Sequence, residues 1–218
     1  MSDKLYEIMI HALVLFTAFP VHECAHALTA HWLGDDTAKN QGRITLNPFA
    51  HLDIMGTVMM IFVGFGWAKP VPVYPGNFRN RKLGMAITSL AGPVSNLLMA
   101  YVAMTVYKIL AYIGYGSNAQ NISIVSDIFW YITLLNLGLA VFNLLPIPPL
   151  DGSKIFNAIL PDELYFKIMR YENIIFFALI ALVFLGILDG PISFLQMVSY
   201  KVMDFLTGWI DVIMSIIT

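Results

Sequence analysis

The chain has 218 residues, of which 58% are hydrophobic and only 12% charged, against roughly 25% charged in an ordinary globular domain. One water-soluble core cannot hide that much apolar surface, whereas a bilayer accommodates it. A net charge of −2 recommends no nucleic-acid partner, and the single cysteine, Cys24, excludes an intrachain disulfide framework and a cysteine-based zinc site.

No linker-like tract, low-complexity run or repeat divides the chain, so a single integral-membrane domain over 1–218 is expected. A membrane-spanning helix needs about 20 apolar residues to cross about 30 Å of hydrocarbon. The first apolar run, 5–33, exceeds this; it is too long for a signal-peptide core and carries no small-residue cleavage pattern. The next, 52–66, is short and ends in Gly64-Phe65-Gly66. Lys39, Arg43, Lys69, Arg79, Arg81 and Lys82 all fall within 34–82, while 115–121 holds no basic residue. Because Lys and Arg mark cytoplasmic loops, a re-entrant 52–66 keeps these charges together, whereas a full crossing divides them. Irregular backbone at that depth is tolerated when it is buried in protein.

Two β-like pieces, 42–46 and 67–74, flank this segment and predict a small β-hairpin or sheet. Pro70 and Pro72 remove N–H groups from one side of the second piece, which suits a sheet edge. Farther on, 83–114 and 122–146 are long spans and 174–188 is a marginal one. The last segment, 192–217, carries Lys201, Asp204 and Asp211 on one helical face and can span or lie in the interface. The expected fold is an all-α polytopic membrane protein: about five transmembrane helices, a short re-entrant segment and a small hairpin or sheet. With the N-terminus outside, 5–33 runs inward, 83–114 outward and 122–146 inward. Lys154, Lys167 and Arg170 then fall on the cytoplasmic side.

The sharpest chemical signal is His22-Glu23-Cys24-Ala25-His26. Residues four apart share one helical face, so His22 and His26 can hold one metal ion between them, with Glu23 beside them to receive a proton from water on the metal. Ionisable groups inside an apolar span cost about 2.5 kcal/mol or more each, and three in five residues at ligand spacing are hard to explain as core packing. Cys24 lies roughly opposite His22 and reads as packing. A catalytic zinc takes three protein ligands plus water. The best third candidate is Asp151, after Pro146, Pro148 and Pro149, which break the preceding helix so that the aspartate rides on unwound chain at the depth of the histidines. Gly152 is expected to permit a sharp turn there.

Other polar residues have two readings each. His51 and Asp53, near Asn47-Pro48, read as caps of the re-entrant segment, with a metal or substrate role as the alternative. His11 reads as a buried hydrogen-bonded histidine. Asn96 and Asn143 need partners inside helices, either across helices or, for substrate or oxyanion binding, at the scissile carbonyl. Gly92-Pro93 is expected to loosen its helix and allow close packing against the histidine-bearing one.

With these residues in place, the chain resembles the site-2 protease family of intramembrane zinc metalloproteases. The likeness rests on the HExxH at His22–His26, on Ala91-Gly92-Pro93-Val94-Ser95-Asn96, and on the proline-rich run ending Leu150-Asp151-Gly152, in that order over about 10–160. It implies His22, His26 and Asp151 as ligands of one Zn2+ per chain and Glu23 as the catalytic residue. Neither a helix before the HExxH helix nor a PDZ or other accessory domain is recognisable, so a small family member is expected. The expected substrates are membrane-spanning or membrane-associated proteins or peptides, cut in the cell membrane with the site nearer the cytoplasmic face. One rival is an integral-membrane HExxH peptidase acting on soluble or lipidated peptides, which would draw a third ligand from Glu163 or Glu172, both outside apolar spans. A metal transporter would need polar residues along several helices, and a catalytically dead binding protein would not need Glu23.

Overall fold

The computed structural model describes residues 9, 12–63, 66–115 and 120–217, and these are mostly helical; His11 lies outside the described residues. Helix α1 (Phe19–Trp32) follows directly on a π-wound turn, Val14–Ala18, so helical backbone leads without a break into the HExxH stretch. The loop beyond α1 is organised by Asp35. Its buried carboxylate accepts from the Thr37 backbone N–H and hydroxyl at 3.1 and 2.5 Å, from the Tyr74 N–H at 2.7 Å and from the Asn77 amide at 2.7 Å.

Helix α2 (Ile54–Val63) occupies the short apolar segment. Its flanks come back side by side: Leu52 and Ala68 form an antiparallel bridge, and the Lys69 N–H donates to the His51 carbonyl at 2.7 Å. A Cβ on Gly56 would lie 2.0 Å from the Trp67 carbonyl oxygen, and one on Gly66 2.1 Å from that of Gly56, so the returning chain lies directly on α2. The excursion therefore ends beside the point where it began; residues 64–65 lie outside the described residues.

That single bridge replaces the expected hairpin or sheet: no strand forms at 42–46 or 67–74. The cause is a competing partner. The Lys69 and Pro70 carbonyls accept from the buried Arg43 guanidinium at 2.6 and 3.1 Å, and Pro70 and Pro72 have no N–H to offer a ladder.

Helix α3 (Arg81–Tyr115) continues through Pro93 and packs on both α1 and α4 (Gln120–Asn143). After the proline-rich turn come α5 (Asp151–Asn157), α6 (Asp162–Met169), α7 (Glu172–Phe184), α8 (Asp189–Leu206) and α9 (Gly208–Ile217). Among the described residues two helices, Arg81–Gly114 and Ile124–Asn143, are long and apolar enough to cross a membrane alone. The α7–α8 pair, bent by 83°, makes a third if it counts as one span, against the five or so expected. The expected continuous 192–217 helix is divided at Thr207.

Two apolar clusters hold the layers together. Ala18, Phe19 and Met60 join α1 to α2 and α4; Ala100, Met104, Leu137 and Met203 join α3, α4 and α8. Lys108 of α3 is buried and reaches Asp204 at 2.8 Å and Asp211 at 2.6 Å, tying α8 and α9 to α3. Asp204 and Asp211 thus lie on one face as expected, although a helix break separates them.

Candidate metal centre

His22 and His26 lie one turn apart on α1, both buried, and Asp151 opens α5 against them. One donor atom from each lies within 4.8 Å of the others. The His22 and His26 Nε2 atoms are 3.0 Å apart, and each is 3.1 Å from Asp151 Oδ2. Asp151 Oδ1 turns the other way, 3.6 Å from Lys154 Nζ.

Hydrogen bonding on the far side of each ring decides what these short distances mean. His26 Nδ1 lies 2.6 Å from the Thr88 carbonyl, which can only accept, and His22 Nδ1 lies 2.5 Å from Asn96 Oδ1. Both Nδ1 atoms therefore carry the proton, and on a neutral ring each Nε2 presents a lone pair. Two lone pairs and a carboxylate oxygen then converge with no hydrogen between them, which is repulsive unless a cation lies among them. Tetrahedral zinc at about 2.0 Å from its ligands holds them about 3.3 Å apart, so the donor set fits that ion with a shift of tenths of an ångström.

The packing leaves room for this arrangement through two glycines. A Cβ on Gly92 would come within 2.4 Å of His26 Nε2 and 2.5 Å of His22 Cε1, so α3 crosses the imidazoles only because that position is bare. A Cβ on Gly152 would meet the Leu144 and Leu145 carbonyls at 2.2 and 2.4 Å. Gly152 is therefore needed for close approach and not for the expected turn, since its φ is not positive. Asp151 likewise does not ride on unwound chain. It is the first residue of α5, and the unwound part is the run before it.

A cavity of about 690 Å³ opens onto His22, Glu23, His26 and Asp151 and is otherwise walled largely by apolar side chains. One wall is the non-helical chain from Gly66 to Val73; another comes from α7 and α8, including Asp189 and Gln196. Asn143 lines the cavity, with its amide donating to the Leu139 carbonyl at 3.0 Å. Asn96 does not line it and sits behind His22. His51 is fully buried away from the three donors; its Nε2–H donates to the Thr45 carbonyl at 2.8 Å, and its Nδ1 faces Arg43 at 3.4 Å. Asp53 caps α2 by accepting the Gly56 N–H at 2.8 Å. Glu163 is exposed and Glu172 half-buried, and both lie outside the donor cluster. The reading of the sequence missed the place of Lys154 beside Asp151, which i,i+3 spacing reveals only once α5 is known to be a helix.

Comparison with known proteins agrees with this chemistry. The model of Peptidase family M50 matches residues 108–186, a stretch that includes Asn143 and Asp151. Relatives described as "Putative zinc metalloprotease" include YwhC of Bacillus subtilis, 41% identical over 161 residues and covering 74% of both chains. They also include Rip2 of Mycobacterium tuberculosis, 29% identical over 140 residues, with 61% of this chain and 50% of Rip2 covered. No solved structure matches. Identity at that level over most of the YwhC sequence places this chain in peptidase family M50, the site-2 proteases, as a zinc metalloprotease.

Proposed function

We propose that the protein is an intramembrane endopeptidase that cuts membrane-spanning or membrane-associated protein segments, with His22, His26 and Asp151 holding one zinc ion per chain and Glu23 as the catalytic base. The observation that carries this reading is the convergence of two imidazole lone pairs and a carboxylate at a cavity that also exposes Glu23. A zinc ion bound there supplies an acidified water and polarises the scissile carbonyl. Glu23 accepts the proton released on attack and returns it to the departing amine nitrogen.

A substrate helix has to unwind first, because its peptide bonds are shielded by its own hydrogen bonds. Unwound chain can lie along the wall from Gly66 to Val73, where Val71 and Val73 fall between and beyond the prolines, with Arg43 holding that wall in place from behind. Asn143, on the same cavity, can steady the substrate carbonyl with the amide hydrogen it does not give to Leu139. In this reading α1 and the π-wound turn before it form a further span. With α3, α4 and, counted separately, α7 and α8, the total is about five. The basic residues of 34–82 support a site nearer the cytoplasmic face of the cell membrane.

Glu23→Gln tests the assignment by removing only the proton acceptor. Zinc content measured by metal analysis is expected to stay at about one per chain, while cleavage of a membrane-protein substrate in liposomes falls about 10²–10⁴-fold. A variant that cuts at the wild-type rate would exclude Glu23 as the base. Zinc retained at full occupancy after His22→Ala/His26→Ala would exclude the ligand set.

A further inference from the structure

Behind His22, away from the cavity, lies a chain of buried amides that the proposed reaction does not use. Asn96 on α3 and Asn136 on α4 are both fully buried. Asn96 Nδ2 donates to Asn136 Oδ1 at 2.8 Å and approaches the Ala18 carbonyl at 3.5 Å, while Asn136 Nδ2 donates to the Ile132 carbonyl, one turn back on its own helix, at 2.8 Å. Two side-chain amides are costly in such a place unless satisfied.

The polarity of this chain is determined at its far end. The Ile132 carbonyl can only accept, so the group of Asn136 that meets it is the NH2, and Asn136 Oδ1 turns to Asn96. The group of Asn96 that meets this oxygen must in turn be its NH2, which sends Asn96 Oδ1 to His22 Nδ1, 2.5 Å away. His22 therefore carries its proton on Nδ1, leaving Nε2 bare toward His26 and Asp151. His26 obtains the same tautomer from a backbone carbonyl, Thr88, directly. His22 has only a side-chain amide beside it, and an amide can flip.

We propose that Asn136 is a positioning residue for the metal centre: acting through Asn96, it locks the orientation of the Asn96 amide and thereby the metal-binding tautomer of His22. The proposal rests on His22 being a metal ligand, as set out above. Without Asn136 only the long 3.5 Å approach to the Ala18 carbonyl still favours this orientation of the Asn96 amide, and a flipped Asn96 presents NH2 to His22. The ring then moves its proton to Nε2, where it blocks the metal.

The test compares Asn136→Leu, of similar size but unable to accept, with Asn136→Asp. In this buried place the carboxyl group introduced by Asn136→Asp stays protonated and keeps both polarities, its O–H toward Ile132 and its carbonyl toward Asn96. Zinc affinity, measured by chelator competition in detergent, is expected to fall about 10–100-fold in Asn136→Leu and to stay within about threefold of wild type in Asn136→Asp. Nitrogen-15 spectra of zinc-free protein labelled at histidine are expected to show His22 protonated on Nδ1 in wild type and in Asn136→Asp, and a tautomer mixture in Asn136→Leu. Wild-type affinity with an unchanged His22 tautomer in a folded Asn136→Leu protein overturns the proposal. So does a His22 with a proton on Nε2 and none on Nδ1 in the zinc-free wild type, a measurement that needs no variant to fold. His22→Ala, run alongside, separates the two ideas: zinc kept in His22→Ala defeats the ligand assignment itself, whereas zinc lost there but kept in Asn136→Leu defeats only the relay.

Discussion

Gly92 decides how closely α3 can approach the two imidazoles. A methyl group there would lie 2.4 Å from His26 Nε2, inside contact distance, and the rings have little freedom to withdraw because Thr88 and Asn96 hold their far sides. Gly92→Ala is expected to cost about 1–3 kcal/mol through overpacking and to lower zinc occupancy, read by thermal melting in detergent and by metal analysis on one preparation. Unchanged occupancy would show that α3 can shift away without disturbing the centre. Residues of this kind divide what was legible in the sequence from what was not. The spacing of His22 and His26 is local, one helical turn, so it could be read directly. That Asp151 converges on them could be anticipated because a metal would need a third ligand and prolines mark where chain can bend in. The roles of Gly92, Asn96 and Asn136 depend on which helices cross, and one sequence carries no record of that.

Elements were legible where an apolar run began and ended sharply, and illegible where hydrogen bonding overrode it. The expected strand at 67–74 fails because Arg43 takes its carbonyls. Helix α5 went unread because Leu150 caps it without any side-chain bond, so the usual Ser, Thr, Asp or Asn signal is missing. The loop between α1 and the chain entering α3 is held by Asp35, and this has a pH consequence. Burial alone would push the Asp35 carboxyl up, but donors from Thr37, Tyr74 and Asn77 outweigh it and hold it below the ordinary carboxylate value. The ionised form is thus favoured by folding. Its stabilisation is complete above the unfolded-state value near 3.9 and is lost as pH falls through the lower folded-state value. Asp35→Ala is expected to destabilise the loop by about 1–3 kcal/mol at pH 7 and to flatten the acid limb of the melting curve below about pH 4. An acid limb of wild-type steepness in Asp35→Ala would show that other carboxylates govern it.

At the scale of the whole molecule, two polar levels bracket an apolar slab. Gly92, over the proposed metal site, and Lys108, bound to Asp204 and Asp211, both belong to α3. At 1.5 Å per residue they stand about 24 Å apart along it, close to the thickness of a hydrocarbon core. The end of α3 nearer the site is the one next to Arg79, Arg81 and Lys82. The bridge between Leu52 and Ala68 returns the short excursion to its starting level, so the chain on either side of 52–66 should face the same compartment. Single cysteines placed at positions 40, 80 and 165 in a Cys24-free background are therefore expected to react with a membrane-impermeant reagent from one side, and one at position 117 from the other. Proteoliposomes of known orientation, labelled before and after permeabilisation, make the measurement. If 40 and 80 label from opposite sides, the excursion crosses the bilayer. The basic residues would then be divided between two compartments, and the metal site would have to draw its water from the opposite face.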